Sequence, residues 1–282
     1  MYIPRATQSI TTYGSSEHTM RTHVVLAVVL LDPLGLSGQG APGKNLTVDV
    51  TVTSIAFRGD TGIVTYQLLN QSNSAEQVFR FTVDAPASPV RVTRPAPTSD
   101  WRTSSQYRTR PVAGWTVLGD ELMPGQQSPA LVYEAVGLPA PVTFWYRGYF
   151  PPTPLGPADT VPVVAPSDPL AQNSVAGTGV GITPFPVAQS GADLVLRLRG
   201  LLDQTCGSGL NWITSPAVCS GLAAQLDSAS QALASADTTG ARAQIQNFIT
   251  ALSGQHGSGL PVNDSAFWLL KANADYILSR RL

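Results

Sequence analysis

The chain has 282 residues, of which 43% are hydrophobic and 12% are charged, and its formal net charge is −1. A chain of this length and apolar content is long enough for two hydrophobic cores, which excludes disorder throughout. Its composition also lacks the basic excess of a protein that binds nucleic acid or an anionic membrane over its whole surface, although it allows a local basic patch. We therefore expect a globular protein that does not bind nucleic acid.

A short apolar segment near the N-terminus predicts a secretory signal. The segment starts at Met20, has an apolar core at 24–31, and ends in the small residues Gly38 and Gly40. This order of features is typical of a signal peptide, so residues 1–40 are predicted to be an upstream and signal segment that is cleaved after Gly40. An N-terminal strand and an uncleaved anchor are the alternatives. A membrane-spanning helix needs about 20 apolar residues, and no run in the chain is long enough, so no transmembrane helix is predicted.

Residues 41–150 are predicted to form an all-β sandwich of immunoglobulin-like type. Apolar and polar residues alternate with a period of two, as at Val64, Tyr66 and Leu68, which is typical of strands with one buried face. Turn residues separate the candidate strands, and no helical periodicity of useful length interrupts them. The seven candidates lie at about 48–53, 64–68, 79–84, 89–94, 112–118, 130–136 and 142–149.

Residues 151–190 hold nine of the 23 prolines. Proline removes an amide donor and fixes an extended backbone, so this range is predicted to be a semi-rigid linker between two bodies, or an extended segment that lies over the sandwich. The glycine-rich run at 177–181 precedes Pro184 and not a helix. It therefore lacks the helix N-terminus that a phosphate-binding loop needs.

Residues 191–282 are predicted to form a small all-α domain, either a helical hairpin or a four-helix bundle. Apolar residues recur at spacings of three and four, with breaks at 206–216, 237–240 and 254–261. The two cysteines, Cys206 and Cys219, flank the first break. In an exported protein, one close pair predicts a local disulfide, and there is no second pair for a zinc site.

Three helical segments in this region also carry a family resemblance. They lie at 222–229, 241–252 and 272–277, and Phe248, Ile249 and Ala251 match a short family signature. The region, about residues 190–280, resembles the FIMAH domain, a small helical module of bacterial extracellular multidomain proteins. Thr250 and Leu252 stand where that family has Met and His, so no role of the His is transferred. The resemblance implies an exported bacterial protein with an interaction or structural role.

Arginines cluster between two of the predicted strands. The cluster consists of Arg91, Arg94, Arg102, Arg108 and Arg110, with Trp101 and Tyr107 among them and Asp100 in opposition. Guanidinium groups bind carboxylates and phosphates through paired hydrogen bonds, so the cluster predicts a site for acidic polysaccharide, lipid headgroups or a partner's carboxylates. An ordinary polar face beside a long loop is the alternative.

The last predicted strand of the sandwich is unusually aromatic. Because alternate side chains of a strand point to opposite faces, Phe144 and Tyr146 are predicted to enter the core. Trp145, Arg147 and Tyr149 would then form an exposed face that stacks on sugar rings or contacts another protein. The alternative is a strand that spans two packed layers. The predicted binding residues are thus Arg94, Arg102, Arg108, Arg110, Trp145, Arg147 and Tyr149.

The residues that catalysis requires are scarce. A hydrolase nucleophile needs a base, usually histidine, and beyond residue 40 the chain has only His256, in a glycine-rich turn. The few glutamates form no evident pair, Glu134 is predicted to face solvent, and no calcium-loop motif occurs. No catalytic residue, metal or cofactor is therefore predicted.

These patterns together predict a secreted or periplasmic, non-catalytic structural or interaction protein of a bacterial envelope. A second hypothesis is an extrinsic periplasmic subunit of a larger membrane complex, associated with the membrane at its periplasmic face. A third is a carbohydrate-binding accessory module, and a fourth is a hydrolase whose site the sequence hides. The predicted partners are envelope or membrane-complex proteins, or polysaccharide.

Overall fold

The computed structural model of the chain describes residues 46–95, 100–117, 119, 121–149, 170 and 174–282. The predicted signal segment and most of the predicted linker lie outside the described residues. The strands are β1 (Val48–Arg58), β2 (Thr61–Asn70), β3 (Gln77–Asp84), β4 (Val90–Thr93), β5 (Trp101–Tyr107), β6 (Arg110–Val117), β7 (Leu131–Val136), β8 (Leu138–Tyr149) and β9 (Val175–Thr183). The helices are α1 (Gly191–Cys206), α2 (Pro216–Ala234), α3 (Thr238–Ser253) and α4 (Asp264–Arg280).

The strands form two antiparallel sheets that pack into a sandwich. One sheet has the order β1-β2-β7-β4 and the other has the order β5-β6-β3-β8-β9. Without β5 and β6, the seven remaining strands have the order of a constant-type immunoglobulin domain, in which strands A, B, E and D face strands C, F and G. The predicted immunoglobulin-like sandwich is confirmed. Strands β5 and β6 form a hairpin that is inserted between the fourth and fifth strands of this framework and extends the second sheet.

Two of these strands are missing from the sequence prediction. Strand β5 has five consecutive exposed residues and hence no alternating apolar pattern. Strand β9 lies within the range predicted as linker and pairs with β8 along its whole length, so residues 175–183 belong to the sandwich. Its alternate glycines make room for a bulky neighbour, since a Cβ on Gly179 would lie 2.9 Å from the Phe144 ring. Glycine signals a loop in sequence, but here it permits close packing of a strand.

Four fully buried aromatic residues fill the centre of the sandwich. Tyr66 lies 5.5 Å from Phe81 and 6.2 Å from Tyr133 between ring centroids, and Trp115 lies 5.8 Å from Phe81. Aromatic pairs at these distances add to the stabilisation that burial provides. The inserted hairpin therefore shares the core, because Trp115 belongs to β6.

The two buried tyrosines also supply hydrogen bonds to the edge strand β9. The Tyr133 hydroxyl accepts from the Ile182 amide at 2.7 Å, and the Tyr66 hydroxyl donates to the Val180 carbonyl. These bonds satisfy backbone groups that have no strand partner on that side of β9. Burial raises the pKa of Tyr66, and the neighbouring Tyr133 raises it further. Burial also raises the pKa of Tyr133.

The four helices are separated at the breaks that the sequence predicts, although α2 ends at Ala234, before the break at 237–240, and α4 begins at Asp264, after the break at 254–261. Ser190 forms a capping box with Asp193, and the Asp237 side chain accepts from the Gly240 amide at 2.8 Å. Both side chains satisfy amides that a helix N-terminus leaves unpaired. The predicted disulfide is confirmed, since Cys206 at the end of α1 is bonded to Cys219 in the first turn of α2.

The helices pack on the sandwich, and the apolar core continues from one to the other. Tyr276 of α4 lies 5.0 Å from the Phe57 ring, and its hydroxyl donates to Asp60 at 2.9 Å. The Asn273 amide donates to the Pro139 carbonyl at 3.1 Å. The sequence predicts two separate bodies, whereas these contacts join them, because α4 is apolar on more than one face and buries one of them against the strands. Among the residues that the structure describes, no helix combines the length and the apolarity that a membrane crossing requires.

Replacement of both Cys206 and Cys219 by serine should lower the free energy of unfolding. The bridge closes a loop with a sequence separation of 13 residues, and closure of such a loop stabilises a fold by about 3 kcal/mol in the chain-entropy model. Urea unfolding followed by circular dichroism measures the change. Reduction of the parent protein should produce the same loss, and an unchanged urea midpoint in both experiments would contradict the prediction.

The buried tyrosines predict a loss of stability at alkaline pH. Their pKa is raised in the folded chain and is about 10 in the unfolded chain. Stability from these groups is therefore fully present below pH about 10 and falls as the pH rises further, because the unfolded state releases protons that the native state retains. Urea unfolding between pH 7 and pH 12 measures this dependence.

Tyr133→Phe tests the same pair of tyrosines at neutral pH. The variant leaves the buried Ile182 amide without an acceptor, so it should lose about 1–3 kcal/mol of stability. Its further loss at alkaline pH should be smaller than that of the parent. Tyr107→Phe, which removes the hydroxyl of a half-buried surface residue, is the control and should change the stability by less than about 0.5 kcal/mol. Equal behaviour of the two variants would show that the Tyr133 hydroxyl does not support β9.

Candidate functional site

The candidate site lies on the outer face of the five-stranded sheet and on the hairpin that extends it. Strand β6 holds the hairpin in place, because Trp115 and Val117 are fully buried in the core. Strand β5 pairs with β6, and only Trp101 of its seven residues is buried. The hairpin therefore presents a polar strand on a rigid support, which is an arrangement that favours a defined binding geometry.

Two of the predicted arginines line an open groove beside the start of the hairpin. Arg94 follows β4 and Arg102 belongs to β5, and both line the groove together with Asp100, Trp101 and Thr103. The groove has a volume of about 420 Å³. Both arginine side chains are exposed. The structure thus brings together Arg102 of the second sheet and Arg94, which follows the edge strand of the first sheet.

Arg108 lies at the tip of the hairpin. It occupies the turn between β5 and β6 with a φ of 56°, a left-handed conformation that is uncommon for residues other than glycine. Its side chain is exposed. Arg108 is therefore directed to solvent by the turn and not by packing.

Arg110 is held in place by two neighbours. Its guanidinium donates two hydrogen bonds to the Asp84 carboxylate, at 3.0 Å and 2.8 Å, and its central carbon lies 5.0 Å from the Trp145 ring centroid. Paired hydrogen bonds fix the plane of the guanidinium, and the cation–π contact favours a position over the indole. Arg110 thus covers Trp145.

The structure corrects the predicted exposure of Trp145. Its side chain points to the outer face as predicted, but only 5% of it is exposed. Val112 and Leu170 pack against it, and Tyr107 lies beside them. Leu170 belongs to the range predicted as linker, so a sequence-distant residue covers the indole. Trp145 is therefore a packing residue beneath Arg110 and offers no free ring to a sugar.

Arg147 lies opposite Arg80 of β3, a residue that is absent from the predicted binding residues. The guanidinium carbons of Arg147 and Arg80 lie 5.5 Å and 5.9 Å, respectively, from the centroid of the Phe79 ring. Burial and the adjacent Arg80 lower the pKa of Arg147. The sequence contains the signal, an arginine between two phenylalanines, but alternation alone assigns Arg80 to an ordinary solvent face. Tyr149 ends β8 opposite Gln77, and its side chain lies outside the described residues.

His256 is the only histidine among the described residues, and in sequence it lies far from the strands that form this face. His256 lies between α3 and α4, where it shares a hydrogen bond of 2.7 Å with Asp264 and stacks on Phe267 with ring centroids 3.9 Å apart. These two contacts account for both the edge and the face of the imidazole. Within the described ranges, no group of three or more histidine, cysteine or carboxylate side chains is placed to hold a metal ion.

Comparisons with known proteins give a likeness in fold to solved structures. No protein-family model matches the chain, and no curated protein matches it. A solved structure from Nocardia farcinica is described as that of an uncharacterised protein with an immunoglobulin-like fold. It is 15% identical to this chain, with a TM-score of 0.26, and the match covers 47% of this chain and 96% of the other.

Proposed function

We propose that this protein is an exported, non-catalytic interaction protein of a bacterial envelope, and that it binds an acidic surface of another envelope protein. The observation that carries the proposal is the inserted β5–β6 hairpin. It adds an exposed strand that carries arginine to an immunoglobulin-like sandwich. The other seven strands of this sandwich form both sheets of a constant-type domain without the hairpin. Function commonly resides in such additions to a common fold.

The chemistry of the hairpin and its surroundings supports a protein partner. Arg102 and Arg108 are exposed, and arginine is enriched in protein interfaces because it combines charge, planarity and apolar contact area. The hairpin is anchored by Trp115, so little conformational entropy is lost when it binds. Burial of Trp145 weakens the hypothesis of a carbohydrate-binding module, since that hypothesis depends on a free aromatic face.

The helical region is proposed to be a small bundle with the structural role that the FIMAH resemblance implies. Helix α1 contacts α2 and α4, and α3 contacts α2 and α4, which supports mutual packing of the four helices. In this role the region supports the sandwich through α4.

Export is the second part of the proposal, and it rests on the signal-like segment before residue 41 together with the disulfide. Bridges such as Cys206–Cys219 persist in oxidising compartments outside the cytosol. We expect the protein expressed in a bacterial host to reach the envelope or medium with Ala41 as its N-terminal residue. N-terminal sequencing of the fractionated protein measures this. Recovery of the uncleaved chain in the cytosol alone would contradict export.

A photo-crosslinking amino acid at Thr109, in the hairpin turn, should capture a protein partner in intact cells of the native host. The same amino acid at Gln231, which is exposed on α2, is the matched control and should capture none or a different one. The double variant Arg102→Gln and Arg108→Gln should reduce the Thr109 crosslink by about tenfold, the effect of losing about 1.4 kcal/mol of binding free energy. Mass spectrometry of the crosslinked product identifies the partner.

The outcome of this experiment separates the candidate functions. No crosslink from Thr109, or a crosslink that the double variant leaves unchanged, would refute binding through the hairpin. A crosslinked partner that remains with the membrane after mild washing would favour an extrinsic subunit of a membrane complex. A crosslinked partner in the soluble fraction would favour a free envelope protein.

A further inference from the structure

Three arginines form a single row across the outer face of the five-stranded sheet. Arg102 of β5 and Arg80 of β3 both lie opposite Thr116 of β6, and Arg147 of β8 lies opposite Arg80. Residues that lie opposite each other in antiparallel strands point to the same face. The row therefore runs perpendicular to the strands, in the order Arg102, Thr116, Arg80 and Arg147.

Arg80 and Arg147 lie directly opposite each other in neighbouring strands. Like charges in opposed strand positions destabilise a sheet, and Arg80 and Arg147 occupy such positions. The β-bulge between Val78 and Arg80 places the Phe79 ring 5.9 Å and 5.5 Å from the two guanidinium groups. The contact with the ring offsets part of the repulsion. An anion placed between the two guanidinium groups would offset the repulsion that remains.

The described carboxylates do not neutralise this row. On β3 the acidic residue of this face is Asp84, and its two oxygens accept from Arg110. Asp100 precedes β5 and lines the groove beside Arg102. Among the described residues, no ion pair involves Arg80, Arg102 or Arg147. Besides its contact with the Phe79 ring, Arg80 donates a hydrogen bond of 3.3 Å to the uncharged Thr116 hydroxyl.

A small cavity lies beside the two opposed arginines. Arg80, Thr82, Tyr107, Trp145 and Arg147 contribute to its lining, and its volume is about 20 Å³. A cavity of this size admits one oxygen atom of the size of water. It therefore accommodates one oxygen of an oxyanion whose other oxygen remains at the surface.

We propose that Arg80 and Arg147 together bind one carboxylate of an extended acidic segment of the partner protein, and that Arg102 binds a second one. This inference deepens the proposed function, since it assumes that the partner lies on this face. A carboxylate accepts paired hydrogen bonds from guanidinium groups, and one placed between two arginines also removes their mutual repulsion.

The distance between the arginine positions on the sheet determines the distance between the acidic residues of the partner segment. Neighbouring strands are about 4.8 Å apart, so the midpoint between Arg80 and Arg147 lies about 12 Å from Arg102 along the row. In an extended peptide, side chains on one face recur about every 6.7 Å, and residues four apart are about 13 Å from each other. The geometry fits acidic residues at positions i and i+4 of an extended segment that crosses the strands.

The test uses a fluorescent ten-residue peptide of Ser and Thr with two Glu residues four positions apart. Its binding to the full chain is measured by fluorescence anisotropy at low and at physiological salt. Arg80→Gln and Arg147→Gln should each weaken binding by about tenfold, because each removes one of the two groups that hold the carboxylate. Arg58→Gln, on the other sheet, is the matched control and should leave binding unchanged. The same peptide with Gln in place of Glu should bind at least tenfold more weakly.

Thermal unfolding of the variants distinguishes a loss of binding from a loss of folding. Removal of one of two opposed like charges should leave the Tm of Arg147→Gln equal to or above that of the parent, so that lost binding is not lost folding. Unchanged binding in both variants, or absent binding of the Glu peptide, would overturn the inference. Binding of an oligogalacturonate in preference to the peptide would overturn it as well, in favour of an acidic polysaccharide.

The failure of this inference differs from the failure of the proposed function. If Arg80→Gln and Arg147→Gln leave the Thr109 crosslink intact while the hairpin variant removes it, the partner binds through the hairpin alone. If the crosslink itself is absent but the peptide binds as expected, the site is an anion site that serves another ligand. Each result refutes one proposal and retains the other.

Discussion

The attachment of strand β9 by the buried tyrosines is the interaction on which the rest of the structure depends. Tyr66 and Tyr133 belong to the first sheet, and their hydroxyls bond to the backbone of the second sheet at Val180 and Ile182. This fixes the end of β9, from which the chain passes within a few residues into α1. The bonds between the two sheets therefore fix the point from which the chain enters the helical region.

The packing of α4 then makes the sandwich and the helices one folded unit. The Tyr276 ring packs in a tilted geometry against Phe57 and Phe185, and the Asn273 side chain donates a hydrogen bond to the backbone of β8 at Pro139. Arg197 of α1 completes this junction with hydrogen bonds to Asn273 and Pro139, and burial lowers its pKa. Because these polar groups satisfy one another, the interface combines apolar contact with a specific orientation.

The framework and the candidate site are built from opposite faces of the same strands. In β3 the inward residues Phe81 and Val83 fill the core, while Arg80, Thr82 and Asp84 form the outer face. The inserted hairpin repeats this division, with Trp115 inward and the arginines outward. The core therefore holds the backbone that carries the charged face in place. This division explains how a common sandwich acquires a specific surface.

The sequence by itself determined the class of fold and the location of most elements. Periods of two and of three to four residues are local properties, so they revealed seven strands of the sandwich, all four helices and the cysteine pair. It also located the arginine-rich segment of Arg94, Arg102, Arg108 and Arg110. Tertiary structure alone decided that β9 is a strand, since its glycines are explained by close neighbours from other strands, such as the Phe144 ring against Gly177 and Gly179. It also decided that Trp145 is covered and that Arg80 lies opposite Arg147, because burial and cross-strand register arise from residues far apart in the chain.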